Sequence, residues 1–206
     1  MPRVAYSEED RERIRASLIS VGLQRMAEQG IQHTTVEQIY TEVGISRTFF
    51  YAFFPTKEDL IVEALYLQQP QLIAYARKLM ADPALSWQDG VRQFLHTCCY
   101  GEKNGIAVLT VEEQQMIFRR LSKESYRLFR EKQTRLFGEI LSCFGIRADT
   151  ERVHLFINLS LTAMVIRRAI PDTLPLFIPE AADETVAFQI DAIVGCLEKM
   201  RAQDSN

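Results

Sequence analysis

Apolar residues recur every three or four positions along most of this chain, which is the spacing of helices with one buried side. A first helix is predicted between Ser7, which can cap a helix N-terminus, and Gly30, which can end one. Its apolar residues are Ile14, Leu18, Val21 and Met26. Runs in which apolar and polar residues alternate, as in strands, are almost absent. The pattern therefore predicts an all-α protein.

Two short helices joined by a tight turn are predicted next. Thr34 or Thr35 can cap the first of them, and Gly44 ends it in a position suited to a left-handed turn. Ser46 caps the second, which spans Arg47 to Phe53. Two helices joined by a three-residue turn that contains glycine form a helix-turn-helix, whose second helix lies in the major groove of DNA.

The remainder of the chain is predicted to be helical and richer in apolar residues. Thr56 opens a fourth helix, and a kink or break is expected at Pro70 because proline disfavours helical backbone in the residue before it. Further helices are predicted at residues 71–81, 87–100, 108–121, 123–144, 150–169 and 182–202. We therefore expect a helix-turn-helix domain at residues 1–55, linked by the fourth helix to a helical domain at residues 56–206.

Composition supports a folded protein and argues against several other classes. The chain has 206 residues, of which 47% are hydrophobic, enough to bury a core. No apolar stretch follows a basic one at the N-terminus, and the longest nearly apolar run, 156–166, falls short of the roughly 20 residues that a membrane helix needs. We therefore expect a cytoplasmic protein that makes no membrane contact.

The four cysteines match no metal-binding or CxxC redox spacing. They are Cys98, Cys99, Cys143 and Cys196. We expect buried reduced thiols, no metal and no cofactor. The adjacent pair Cys98 and Cys99 leaves open a sensor of redox state or of thiol-reactive compounds.

The charge balance limits how this chain could bind DNA. Its net charge is -3, and residues 1–60 carry seven Arg and Lys against nine Asp and Glu. A net acidic DNA-binding domain has no basic field to attract phosphates. We therefore expect affinity to depend on a few well-placed cations, on helix N-termini and on hydroxyl groups.

Nine residues between positions 34 and 60 have a spacing that resembles the N-terminal pattern of the TetR family of repressors. They are Thr35, Ile39, Gly44, Ile45, Ser46, Tyr51, Phe54, Lys57 and Leu60. The resemblance covers about residues 7 to 66. It implies a helix-turn-helix DNA-binding domain followed by a helical domain that binds a small-molecule effector and forms a homodimer.

The same resemblance implies which residues contact a double-stranded, palindromic operator. They are Thr34, Thr35, Arg47, Thr48, Phe49, Tyr51 and Lys57. The hydroxyl and amide of Thr35 would meet a phosphate, as would Lys57. Arg47 would bind either guanine or a phosphate. Tyr51 would place its hydroxyl on a phosphate or its ring on a thymine methyl group.

Three aromatic residues depart from the family pattern or leave their role open. Tyr40 stands where the family usually has alanine, at the crossing of the two short helices. Phe53 stands where histidine or another polar residue often meets a phosphate, so one expected contact is missing. Phe49 is either a core residue or a base-facing residue that contacts a thymine methyl group, whereas Phe50 and Phe54 are expected in the core.

The last predicted helix carries an apolar seam with alternating spacings of four and three residues. The seam contains Val186, Ile190, Ile193 and Leu197. Such a seam suits packing against another helix, either within the chain or across a two-fold axis. We predict that it forms the dimer interface together with the preceding helix, because a palindromic site needs two recognition helices held about one DNA turn apart.

Aromatic and polarisable residues are frequent in the central helices, as in apolar ligand pockets. The candidate pocket residues are Phe94, Cys98, Met116, Phe118, Tyr126, Phe129 and Phe156.

The favoured function is a dimeric repressor that releases DNA when a small molecule binds. Two alternatives remain, a helical enzyme that pairs Cys98 or Cys99 with His96 or His154, and an interaction module without DNA affinity.

Overall fold

The computed structural model describes residues 6–101, 104–107, 109, 111–170 and 178–204, which form nine α-helices, a short 3-10 turn and no strand. The helices are α1 Glu8–Gln29, α2 Val36–Val43, α3 Arg47–Phe53, α4 Lys57–Ala81, α5 Trp87–Cys99, α6 Val111–Arg120, α7 Lys123–Cys143, α8 Thr150–Ala169 and α9 Ala182–Asp204. The 3-10 turn is Pro179–Ala181. The predicted all-α class is confirmed. The predicted turn at 171–179 lies mostly outside the described residues.

Side chains cap the first four helices where the sequence predicted caps. The hydroxyls of Ser7, Thr35, Ser46 and Thr56 each accept a hydrogen bond from the amide three residues ahead. Each cap satisfies one of the amides that a helix N-terminus leaves without an internal partner. The structure also decides between the two candidate caps of α2, because Thr35 takes that position rather than Thr34.

The predicted break at Pro70 is wrong, because α4 runs without interruption from Lys57 to Ala81. A proline inside a helix removes one hydrogen bond and costs about 3 kcal/mol. Buried residues on both sides of Pro70 compensate for this cost. Leu65 packs into a core beneath the first three helices, and Leu79 packs into a second core at the other end of α4.

Two hydrophobic clusters share α4. The N-terminal cluster joins α1, α2, α3 and the first half of α4, and it also takes in Ala107, Ile117 and Phe129 from later in the chain. The C-terminal cluster joins the second half of α4 to α5, α7, α8 and α9. The N-terminal core thus extends past residue 55 and is continuous with elements of the helical domain.

The apolar seam of α9 lies inside the protein and not at an interface between subunits. Val186, Ile190, Ile193 and Leu197 are all less than 5% exposed and belong to the C-terminal cluster. They are covered by α5 and α8, which pack against α9. The predicted dimer interface is therefore wrong for these residues, because helices of the same chain use the seam.

None of the helices in the described part of the chain is both long and apolar enough to cross a membrane. Over the same residues, no group of three or more His, Cys, Asp or Glu side chains is placed to hold a metal ion. Cys98 and Cys99 are buried, and Cys143 and Cys196 are half-buried.

Candidate nucleic-acid interface and buried cavity

The turn between α2 and α3 has the geometry of a helix-turn-helix. Gly44 adopts the left-handed conformation, with φ 77° and ψ 30°. Its amide donates to the carbonyl of Thr41 at 3.1 Å, and the amide of Ile45 donates to the carbonyl of Tyr40 at 3.0 Å. A residue with a Cβ rarely adopts this backbone conformation, which explains glycine at this position. The half-buried ring of Tyr40 packs against the N-terminal cluster.

Two phenylalanines fix which side of α3 faces outward. Phe50 is 0% exposed and Phe54, which ends the helix, is 2% exposed. Because successive helical residues are rotated by about 100°, burying these two rings turns Thr48 and Ala52 to the outermost side. Both outer residues are exposed. Ala52 was not among the predicted DNA contacts, although its spacing of four residues from Thr48 is a signal that could have found it.

Arg47 and Tyr51 form one flank of this outer side. They are four residues apart, so they share one helix face. The guanidinium of Arg47 lies 5.9 Å from the centre of the Tyr51 ring, and Tyr51 is 40% exposed. Both residues are therefore placed where a duplex bound against α3 could be reached.

Phe49 lies on the other flank and is held within the protein. Its ring stacks on Tyr6 with the centroids 4.8 Å apart and an angle of 18° between the planes. The ring of Phe53 packs edge-on against it at 5.0 Å. The sequence left Phe49 between a core role and a base-facing role, and the structure shows a half-buried ring with one face covered by Tyr6.

Thr34 is placed differently from the prediction that it contacts DNA. Its side chain is fully buried, and its hydroxyl donates to the carbonyl of Gly30 at 2.9 Å. A buried hydroxyl with an internal partner is not accessible to a phosphate. Thr34 therefore stabilises the loop between α1 and α2, and we exclude its side chain from the interface.

Thr35 is exposed at the start of α2, but Gln38 already occupies its polar groups. The amide of Thr35 donates to Oε1 of Gln38 at 2.8 Å, and the amide of Gln38 donates to the Thr35 hydroxyl at 3.2 Å. A phosphate bound to the amide of Thr35 would have to displace the Gln38 carboxamide. Sequence reasoning did not identify Gln38, although glutamine three residues after a threonine cap is the pattern of a capping box.

Lys57 is half-buried at the start of α4 and has an internal partner. Its ammonium group donates to the carbonyl of Ile31 at 2.6 Å. Burial lowers the pKa of Lys57, and the carboxylates of Glu113 and Glu58 act in the opposite direction. Lys57 therefore ties the loop after α1 to α4, which limits its reach toward a phosphate.

A cavity of about 130 Å³ lies between the two clusters. Four of the predicted pocket residues line it, namely Phe94, Cys98, Phe118 and Phe129. The other three lie outside its wall. Phe156 is fully buried in the C-terminal cluster, Tyr126 packs edge-on against Phe118 at 5.2 Å, and Met116 lies half-buried on α6.

The described wall of the cavity is apolar except for three glutamines, and none of its residues carries a charge. Gln68 uses both ends of its carboxamide within the protein, since it donates to the carbonyl of Ala107 and accepts from the amide of the same residue, both at 3.1 Å. Gln114 and Gln133 make no hydrogen bond to any residue that the structure describes, so their amides can bind a guest molecule.

The geometry argues against Cys98 as a catalytic nucleophile. Its thiol is buried, and burial raises its pKa, which favours the unreactive protonated form. The exposed ring of His96 stacks on Tyr100, with centroids 4.4 Å apart. His154 is exposed on α8.

Comparison with known proteins adds independent information. Residues 18–64 match the profile of the bacterial regulatory proteins of the tetR family. No curated protein sequence matches the chain.

Several solved structures share the fold over nearly the whole chain. A TetR-family regulator from Streptomyces coelicolor is 19% identical with a TM-score of 0.54, and the match covers 91% of this chain and 90% of that one. A regulator of the same family from Pectobacterium atrosepticum is 16% identical with a TM-score of 0.55, covering 95% and 97%. A TetR regulator from Legionella pneumophila is 16% identical with a TM-score of 0.53, covering 92% and 98%. Residues 18–64 are therefore similar to the bacterial regulatory proteins of the tetR family, and the chain shares the fold of solved TetR-family regulators. This family match supports a DNA-binding regulator.

Proposed function

We propose that this protein is a homodimeric repressor that binds a palindromic operator and is released from it by a small uncharged molecule. The observation that carries the DNA-binding part is the outer side of α3, where exposed Thr48 and Ala52 lie between two aromatic flanks. A helix with short side chains outermost can approach base edges closely in the major groove. Thr48 offers a hydroxyl and a methyl group, and Ala52 offers a methyl group that fits a thymine.

The test of this part begins with operator sites selected from random duplexes with the purified protein. Arg47→Ala and Tyr51→Ala should each weaken binding to the selected duplex by about tenfold or more, because each removes a contact to a base or phosphate. Arg127→Ala is the matched control, since Arg127 is exposed on α7, far along the chain from α3. Full operator affinity in both α3 variants would refute the assignment of this surface.

A second copy of this chain is the partner that we propose for α8 and α9. The side of α9 opposite its buried seam carries Phe188, which is 73% exposed, and Gly195. A Cβ built on Gly195 meets nothing within 4 Å, so no contact inside the subunit requires glycine there. Leu155 on α8 is 43% exposed. An exposed phenylalanine and a glycine that lets another backbone approach fit the centre of a helix-to-helix interface.

The cavity supports a small uncharged effector. Its described wall lacks any charged group that could neutralise an ion, and burying an unpaired charge is strongly unfavourable. Its size of about 130 Å³ is close to that of a protein cavity known to admit benzene. The free amides of Gln114 and Gln133 could bind one polar group of such a molecule.

Helix α6 provides the connection from the cavity to the DNA-binding domain. Gln114 and Phe118 line the cavity, whereas Ile117 on the same helix is 0% exposed within the N-terminal cluster. At the end of α6, Arg120 bonds Glu58 near the start of α4. A guest molecule that displaces α6 would therefore disturb the packing of α4 and alter the placement of α3.

The effector part is tested with toluene and benzoate, two molecules of similar ring size that differ in charge. Toluene should raise the unfolding temperature and weaken operator binding, whereas benzoate should do neither at the same concentration. Stabilisation by benzoate alone would contradict the proposed uncharged effector. Stabilisation by toluene without any change in DNA affinity would separate the cavity from the release of DNA.

A further inference from the structure

Some cationic side chains of the DNA-binding domain are already bound to a carboxylate or a backbone carbonyl of the protein, and others are not. Six are described between residues 6 and 60. Four of them have partners within the protein. Three form ion pairs, Arg13 with Asp10, Arg15 with Glu63 at 3.3 Å, and Arg25 with Glu42 at 2.6 Å. The fourth, Lys57, donates to the carbonyl of Ile31. The other two, Arg11 and Arg47, have no carboxylate within 4 Å among the described residues.

Both of these arginines lie over aromatic rings of α3, and they lie on opposite flanks of it. Arg47 lies over Tyr51. Arg11, which comes from α1, lies 5.2 Å from the centre of the Phe53 ring and 5.8 Å from that of Phe49. Because helical residues are rotated by about 100°, the face shared by Phe49 and Phe53 is about 200° from the face shared by Arg47 and Tyr51.

A stack of rings fixes the position of Arg11. Tyr6 covers one face of Phe49, and Phe53 packs edge-on against the same ring. Ser7 caps α1 between Tyr6 and Arg11, which fixes the first turn from which Arg11 extends. The guanidinium is therefore held against α3 by cation–π contacts while its charge remains without an acidic partner.

We propose that Arg11 is a DNA-binding residue that contacts the phosphate strand on the flank of α3 opposite to Arg47, an inference that rests on the proposed DNA-binding function. A helix in the major groove has a sugar-phosphate strand on either side of it. Phe53 has no polar group for the strand on its side, and Arg11 supplies a cation next to that ring. A guanidinium can donate two hydrogen bonds to one phosphate.

The net acidity of the domain makes this second cation important. Among the described residues 6–60, Arg11 and Arg47 are the two cations without a carboxylate or backbone-carbonyl partner, so they are the side-chain charges most available to phosphates. Arg11 and Arg47 would each contact one of the two phosphate strands that border the major groove. Thr48 and Ala52, which lie between them, would face the bases. Tyr6 is then a positioning residue, since it holds Phe49 and thereby the rings under Arg11.

The experiment compares Arg11→Met with Arg13→Ala in the full-length protein on a selected operator duplex. Arg11→Met keeps an apolar side chain near the two rings and removes the guanidinium, with its charge and its N–H donors. Arg13→Ala removes the same charge from the same helix, but from a side chain that is paired with Asp10. Affinity is measured over a range of salt concentrations, and thermal unfolding confirms that each variant is folded.

Arg11→Met should weaken binding by about tenfold or more and lower the slope of log affinity against log salt by about 0.9 for each bound subunit, because each subunit loses one phosphate contact. Arg13→Ala should leave this slope unchanged. If the wild-type protein binds tightly and the two variants have equal affinities and equal salt slopes, the proposed role of Arg11 is wrong. The proposed DNA-binding function would still stand in that case. A wild-type protein that binds no duplex would overturn the DNA-binding function and Arg11 with it.

Discussion

Glu58 at the start of α4 accepts hydrogen bonds at 3.1 and 3.2 Å from Nη1 of Arg120 at the end of α6. The Glu58 side chain is only 2% exposed, whereas the Arg120 side chain is 59% exposed. Glu58 lies in the first turn of α4, where the partial positive charge of the helix N-terminus favours a carboxylate. The pair therefore joins the helix that lines the cavity to the helix that carries the DNA-binding domain.

Arg120→Ala should destabilise the protein by about 1–3 kcal/mol, because it leaves a buried carboxylate without this donor. The change is measured as a lower urea midpoint at constant m-value. Arg119→Ala is the control, since Arg119 is the exposed neighbour on the same helix. The double variant with Glu58→Gln should lose less than the sum of the two single variants. Strict additivity would show that the pair contributes no coupling energy.

Thr34→Val should lower the free energy of unfolding by about 1 kcal/mol, because the carbonyl of Gly30 loses a buried hydrogen bond. The salt dependence of operator binding should stay unchanged, since the side chain is inaccessible to DNA. Thr48→Val, at an exposed position on α3, should show the opposite pattern of unchanged stability and altered operator preference. A lower salt slope for Thr34→Val would restore Thr34 as a DNA contact.

Cys98→Phe should abolish the stabilisation by toluene, because the larger side chain points into a cavity of only about 130 Å³. The measurement is the shift in unfolding temperature with and without toluene for each protein, so that each variant serves as its own reference. Operator binding without toluene should persist. An undiminished toluene shift in Cys98→Phe would place the binding site elsewhere.

Alkylation of the thiols should proceed first at the half-buried Cys143 and Cys196 and last at Cys98. Burial limits access to Cys98, and the raised pKa keeps its thiol protonated at neutral pH. Mass spectrometry of a time course with iodoacetamide, with and without urea, gives the order of labelling. Rapid labelling of Cys98 in the folded protein would instead support a thiol sensor.

If the protein is the dimer that we propose, Phe188→Glu should convert it into a monomer, because the variant places a charge in the centre of the proposed interface. Leu67→Glu is the matched control, since Leu67 is an exposed apolar residue on α4 with 44% exposure. Gly195→Leu should also dissociate the dimer without destabilising the subunit, where its Cβ meets no atom within 4 Å. Molar masses from light scattering test all three. A dimer that persists in both α9 variants would refute this interface.

The sequence by itself determined that the chain is helical and where its first four helices begin. Caps such as Ser7 and Ser46, and the left-handed Gly44, act through atoms only a few residues away. Such local interactions can be read from neighbouring residues without knowledge of the fold. The helix-turn-helix was therefore predictable from the order and spacing of its residues.

Only the tertiary structure decided which of two equivalent roles a residue takes. The spacing of Val186 and Ile190 fits an interface between subunits as well as a core, and the decision depends on α5 lying over them. The continuity of α4 through Pro70 depends on the two cores that hold its halves. The proposed phosphate contact of Arg11 depends on the packing of α1 against α3, which places its guanidinium over the rings of Phe49 and Phe53. These outcomes depend on contacts between residues far apart in the chain, which periodicity within one helix does not encode.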